Sequence, residues 1–129
     1  MRRRRDERGA STIELVLYMP LLMIAMIMTI QFALVYLANH AVGAAAREAA
    51  RTARVTDDPS QGEQSGRTYA ANLGGGYLDD VTVEVVRVGA TQIRATVRGT
   101  APSIIPLFGL QRVSEDVQGP VERFVEDVP

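Results

Sequence analysis

Residues 2–38 read RRRRDERGASTIELVLYMPLLMIAMIMTIQFALVYLA, and this stretch decides the fold. Arg2, Arg3, Arg4, Arg5 and Arg8 come first, then Gly9, then a lone acid at Glu14. From Leu15 to Ala38, 24 positions, no charged residue occurs. At about 1.5 Å per residue a helix of that length is about 36 Å long, enough to cross a hydrocarbon core of about 30 Å with some tilt. Half of the run is Leu, Ile, Val or Phe. At roughly −0.3 to −0.6 kcal/mol each these favour insertion by several kcal/mol, a sum that Thr29 and Gln31 reduce without cancelling. A cleaved secretory signal fits poorly, because its apolar core runs only about 7–15 residues. Nor do Asn39, His40 and Ala41 form a convincing small-x-small cleavage site.

The net charge of −1 conceals an asymmetry. The arginines precede the apolar run, whereas Asp57, Asp58, Glu63, Asp79, Asp80 and the acids from Glu115 to Asp127 follow it. Under the positive-inside rule this puts the N-terminus in the cytoplasm and the remainder outside it. The acidic remainder argues against a nucleic-acid partner, and the adjoining span accounts for the arginine run better than a nucleic-acid arm does. The 129 residues leave room for one membrane segment and one small domain, too little for a large enzyme core. With no cysteine there is neither a disulfide framework nor a thiolate site. His40 is the single histidine, and it reads as an interfacial residue rather than a metal ligand. Ser11, Ser60, Ser65, Ser103 and Ser114 lie without a matching base. Catalysis, a cofactor, a metal and a small-molecule substrate are therefore not expected.

Several residues inside the run carry their own expectations. Pro20 removes a backbone hydrogen bond and invites a kink. Tyr18 and Tyr36 stand near the two ends, where aromatic belts lie. Gln31 is suited to hydrogen-bond another helix, worth about 1 kcal/mol. Glu14 admits two readings. One is an interfacial acid favoured by the positive end of the helix dipole. The other uses Gly9 as well: counted from Ala10, the acid is fifth, and basic residues, a glycine, that acid and an apolar run together resemble a prepilin-type leader. On that reading cleavage after Gly9 leaves a new amine on Ala10, which the Glu14 of a neighbouring subunit neutralises, fixing register between subunits.

The segment Arg8 to Glu14 (RGASTIE), Pro20 within the run, and the continuation AAAREAARTAR from Ala44 to Arg54 make the chain similar to TadE-like pseudopilins of tight-adherence (Flp-type) pilus systems. The resemblance covers Arg8 to about Arg54 and the rest more loosely. It implies processing after Gly9 by a membrane-embedded prepilin peptidase, and partners among pilin-like or pilus-platform subunits. It also implies a minor structural role in assembly or secretion. Related TadF and TadG proteins share the N-terminal pattern; the shortness of this chain favours the TadE type.

Beyond the span, Ala41 to Val55 continues as helix, rich in the best helix former. Arg47, Arg51 and Arg54 fall on one stripe and Ala46, Ala49, Ala50 and Ala53 on the opposite face. The alanine face packs either under the chain's own domain or against another subunit. Glu48 is in reach of Arg51. Residues 57–66 (DDPSQGEQSG) read as a polar, breaker-rich loop, Arg67 to Leu73 as a short helix, and Gly74-Gly75-Gly76 as a turn. The period then changes to two: Val81, Val83 and Val85, then Ile93, Ala95 and Val97, alternate with polar residues. A two-residue turn would put Arg94 opposite Val85. A three-residue Gly89–Thr91 loop, or a bulge near Val86, instead pairs Val83 with Val97 and Val85 with Ala95. Residues 102–110 (PSIIPLFGL) read as a cover for this hairpin, with an exposed partner patch as the alternative. Gln111 to Val125 returns as a third strand, with a break at Gly119-Pro120.

The expected organisation is a leader (1–9), a transmembrane helix with its continuation (10–55, span about 15–38), and a small extracytoplasmic domain (56–129). The fold class is α+β: a long N-terminal transmembrane helix, then an antiparallel sheet of about three strands with a short helix. The function expected is that of a pilin-like minor subunit in the cell membrane or a surface filament. The competing readings are an uncleaved membrane-anchored binding module and a secreted domain released near Ala41.

Overall fold

The computed structural model describes residues 6–122, with side chains from Ser11 onward apart from that of Phe108. The arginines at 2–5 and residues 123–129, including the last part of the expected third strand, lie outside the described residues. The chain runs α1 (Asp6–Thr56), α2 (Pro59–Gly74), β1 (Asp79–Val88), β2 (Gln92–Ala101), a 3-10 turn (Pro106–Phe108) and β3 (Gln111–Pro120). The fold is α+β, and its long apolar helix and three-stranded antiparallel sheet are as the sequence predicts.

Helix α1 continues through both Pro20 and Gly43 without a break. After residue 30 it becomes one-sided: Ala38, Ala41, Val42, Ala45, Ala46, Ala49, Ala50 and Ala53 are buried. The alanine face therefore packs under the chain's own domain. Arg47 and Arg51 face solvent, and Glu48 meets Arg51 at 3.7 Å. Arg54 instead folds over β3 and is half-buried: a Cβ on Gly119 would sit 2.5 Å from its Nη1.

Helix α2 starts eight residues before the helix predicted at Arg67, which corrects the reading of 57–66 as a loop. Asp58 caps it, accepting from the Ser60 backbone N–H at 2.9 Å, and Pro59 takes the first turn, where its missing N–H costs nothing. Those hydrogen bonds, the Ser60 hydroxyl foremost, hold the Asp58 carboxyl below its ordinary pKa. The glycines that look like breakers are contact points. A Cβ on Gly62 would lie 2.6 Å from the Ala53 Cβ and 2.7 Å from the Ala49 carbonyl oxygen, and one on Gly66 would lie 2.8 Å from the Ala49 Cβ. The two helices are so close that only hydrogen fits. Asp57, at φ 54, turns the chain between them, and its carboxylate accepts from Arg87 at 2.6 Å.

The sheet has the order β1-β2-β3. Val83 faces Val97 and Val85 faces Ala95, so the hairpin takes the longer Gly89–Thr91 loop. The irregularity in this ladder lies between Asp79 and Thr82 rather than near Val86. Strand β3 runs unbroken to Pro120. Ile93, Ala95, Val97 and Ala101 of the central strand are fully buried under α1, while Arg94 and Thr96 on the other face bond to Gln118 and Asp116 of β3. Both helices thus cover one face of the sheet, and the opposite face is polar and solvated.

The segment 102–110 does not cover the hairpin. Ile104, Leu107 and Leu110 are 53%, 90% and 74% exposed. Both prolines and Gly109, at φ 63, hold it in a projecting loop beside α1 rather than over the sheet.

Replacing Gly62 by Ala should destabilise the domain by about 1–3 kcal/mol through overpacking, although Ala is the better helix former by about 1 kcal/mol. Gln64→Ala, on the exposed side of α2, should be neutral or slightly stabilising. Urea unfolding of the detergent-solubilised chain, followed by circular dichroism, distinguishes the two.

Candidate functional site

The candidate site is the N-terminal half of α1, which the chain's own domain leaves bare. Every residue from Ser11 to Ile30 is exposed, among them Leu15, Leu17, Leu21, Leu22, Ile24 and Ile30. Exposing this much apolar surface to water is unfavourable at about 25 cal/mol per Å², so the surface requires lipid or other helices around it. It is the one helix among the described residues long and apolar enough to cross a membrane, with a mean hydropathy of 2.3 over its most apolar window. A helix satisfies its backbone groups internally, which suits it to lipid. The side-chain donor of Thr29 is also satisfied within the helix, by the Ala25 carbonyl at 2.8 Å. Pro20, by contrast, leaves the Val16 carbonyl without its usual donor.

The predicted site residues share one end of this helix. Gly9 and Ala10 lie within α1, so the Gly9–Ala10 bond is in helical backbone. Glu14 is one turn beyond Ala10 on the same face, and its side chain is exposed. No ion pair reaches Glu14 from any side chain among the described residues. Tyr18 and Tyr36 are exposed towards the two ends, and the Tyr36 ring lies 6.4 Å from that of His40 in a tilted contact. No group of His, Asp and Glu that could hold a metal ion occurs among the described residues.

Gln31 departs from expectation. Its side chain is buried and bonds not to another helix but to this chain's own loop: its Nε2 donates to the Pro102 carbonyl at 3.3 Å, and its Oε1 accepts from the Ile104 N–H at 2.9 Å. The clasp joins positions 71 and 73 apart. The sequence carried a signal for each half, a single amide in an apolar run and a proline-rich apolar segment, but nothing to join them.

A helix long and apolar enough to cross a membrane, carrying a small α+β domain at one end, is the class that fold and site define. The family model for TadE-like proteins matches residues 9–51, from the glycine before Ala10 to the alanine face under the sheet. Over that third of the chain the sequence is similar to TadE-like proteins, consistent with a TadE-like protein of tight-adherence pilus systems. Neither curated proteins nor solved structures give a match.

Replacing Gln31 by Leu would leave the Pro102 carbonyl and the Ile104 N–H without their partner, at a cost of about 1–3 kcal/mol. The measurable outcome is faster limited proteolysis between Ser103 and Leu110, with the cleavage rate of α1 unchanged.

Proposed function

We propose that the chain is a pilin-like minor structural subunit in the assembly of a tight-adherence pilus or a related secretion system. The observation that carries this reading is the bare apolar helix with a single acid, Glu14, at the fifth position from Ala10, inside the segment matched by the TadE-like family model. The subunit enters the membrane with its arginines in the cytoplasm, and a prepilin peptidase cuts after Gly9. Glycine is the residue in this stretch that weakens the helix most, by about 1 kcal/mol, so the backbone there opens for a protease at the least cost.

Cleavage changes the electrostatics of the helix end. Ala10 gains an α-amine, which is protonated at neutral pH because its ordinary pKa is about 7.7–8.0. A carboxylate in an apolar surround is costly when alone and far less so when paired. Glu14 on one helix and the Ala10 amine on its neighbour meet both needs. The pair also fixes the axial offset between the helices, because any other offset leaves two charges unpaired. The bare faces of residues 11–30 then pack side by side.

Intact-mass measurement of the chain from cells with and without the prepilin peptidase tests the reading. A mature chain beginning at Ala10, seen only with the peptidase, supports it. An unprocessed chain in both backgrounds overturns it in favour of an uncleaved, membrane-anchored binding module, and a chain beginning near Ala41 points to a secreted domain. Glu14→Ala should insert normally, since it makes the helix more apolar, yet fail to co-purify with the assembled machinery. Normal incorporation of that variant would remove the proposed role of Glu14.

A further inference from the structure

We propose that the loop from Pro102 to Leu110 is a second membrane contact, dipping into the leaflet nearest the domain, with lipid as the occupant of its exposed apolar side chains. The inference rests on the reading of α1 as a spanning helix and adds a contact that this reading does not contain.

The depth follows from where the loop is tied. Gln31 holds the Pro102 and Ile104 backbone, and Gln111, at the other end of the loop, lines a groove of about 570 Å³ with Met28, Phe32 and Val35 of α1. One end of the loop is therefore tied to α1 at Gln31, and the other lies beside residues 28–35. The bare helix below, Ser11 to Ile30, is 20 residues or about 30 Å long, the thickness of a hydrocarbon core. With that segment filling the core, Gln31 stands at the boundary between acyl chains and headgroups, and the loop lies at the same level. A span reaching to Ala38 would sink the loop about 10 Å deeper.

The chemistry of the loop fits that depth. No charged residue occurs from Ala101 to Gln111. Leu107 is 90% exposed and Leu110 74%, so the apolar side chains turn away from the protein. Part of the loop's polar backbone, where it lies nearest α1, is provided for by the protein itself. Pro102 and Pro106 have no N–H, the Ile104 N–H and Pro102 carbonyl are held by Gln31, and the Ile105 carbonyl accepts from the Ser103 hydroxyl at 2.8 Å. At the headgroup level the remaining backbone groups still meet water; only irregular backbone within the hydrocarbon would need every group satisfied by protein. Exposed Phe32 and Tyr36 continue the same apolar band around α1.

The absence of cysteine makes the test clean. Leu107→Cys, Leu22→Cys and Glu84→Cys are each labelled with an environment-sensitive fluorophore in the full chain. Each is reconstituted at high dilution in phosphatidylcholine vesicles and checked by circular dichroism against the unlabelled protein. Nitroxide lipids report on depth and iodide reports on water. The proposal expects the label at 107 to be blue-shifted relative to that at 84 and to lose emission to headgroup-proximal nitroxides but not to iodide. The label at 22 should lose emission to deep nitroxides. Iodide quenching at 107 with lipid quenching at 22 leaves the span standing and overturns the loop contact. A blue shift at 107 with neither quencher effective means that protein covers the loop, and also overturns it. No lipid quenching at 22 overturns the span, and the loop contact with it.

Discussion

The close approach of α1 and α2 is the constraint on which the rest of the molecule depends. The buried side chains are small; the largest that are fully buried are Ile93, Val42 and Val97. A core built mostly from alanines and valines gains cohesion only if its layers come very near, since dispersion falls off steeply with any gap. Ala49 and Ala53 on one helix and Gly62 and Gly66 on the other remove the side chains that would hold the backbones apart. Gly66 also admits Val83 of β1 to the same contact, so the helix pair and the sheet close around one point.

That arrangement makes one helix serve two solvents. From Leu15 to Ile30, α1 is apolar on all sides, as suits a helix in lipid; after residue 31, apolar residues occupy one face and arginines the other. Because the helix is continuous and its second half is the floor of the domain, the domain has no independent orientation. Whatever fixes the rotation and depth of residues 11–30 also fixes where the sheet stands. On the proposed function, register between helices in the membrane becomes register between domains outside it, with no hinge to lose it.

The parts of this structure legible in the sequence are those governed by local periodicity. Twenty-four uncharged residues announce a helix, and the alternation of Val83 and Val85 with polar neighbours announces a strand whose register follows from keeping Arg94 off the apolar face. The start of α2 was not legible, because Gly62 and Gly66 weaken a helix taken alone and favour one only beside the alanine face of α1. Asp58 and Pro59 were the available signal, a cap followed by a first-turn proline, but the polar run around them resembled a loop. The projection of residues 102–110 was hidden for the opposite reason. An apolar segment in a small domain usually belongs to its core, and the exposure of Leu107 and Leu110 together with the tie to Gln31 shows otherwise.

The bare apolar stretch holds one carboxylate, Glu14, and is bordered by one amide, Gln31, and the difference between them bears on assembly. Gln31 is an amide, and an amide buried without a partner costs roughly 1–3 kcal/mol. The chain meets that need internally, with two backbone groups of its own loop. Glu14 is a carboxylate, for which the same environment costs more, yet no described side chain of this molecule reaches it. Among the described residues, then, the fold provides for the amide and leaves the carboxylate to its surroundings. On the proposed function the counter-charge is the α-amine of a neighbouring helix, freed beside an acid spaced one helical turn away, and that pairing uses Gly9 as well.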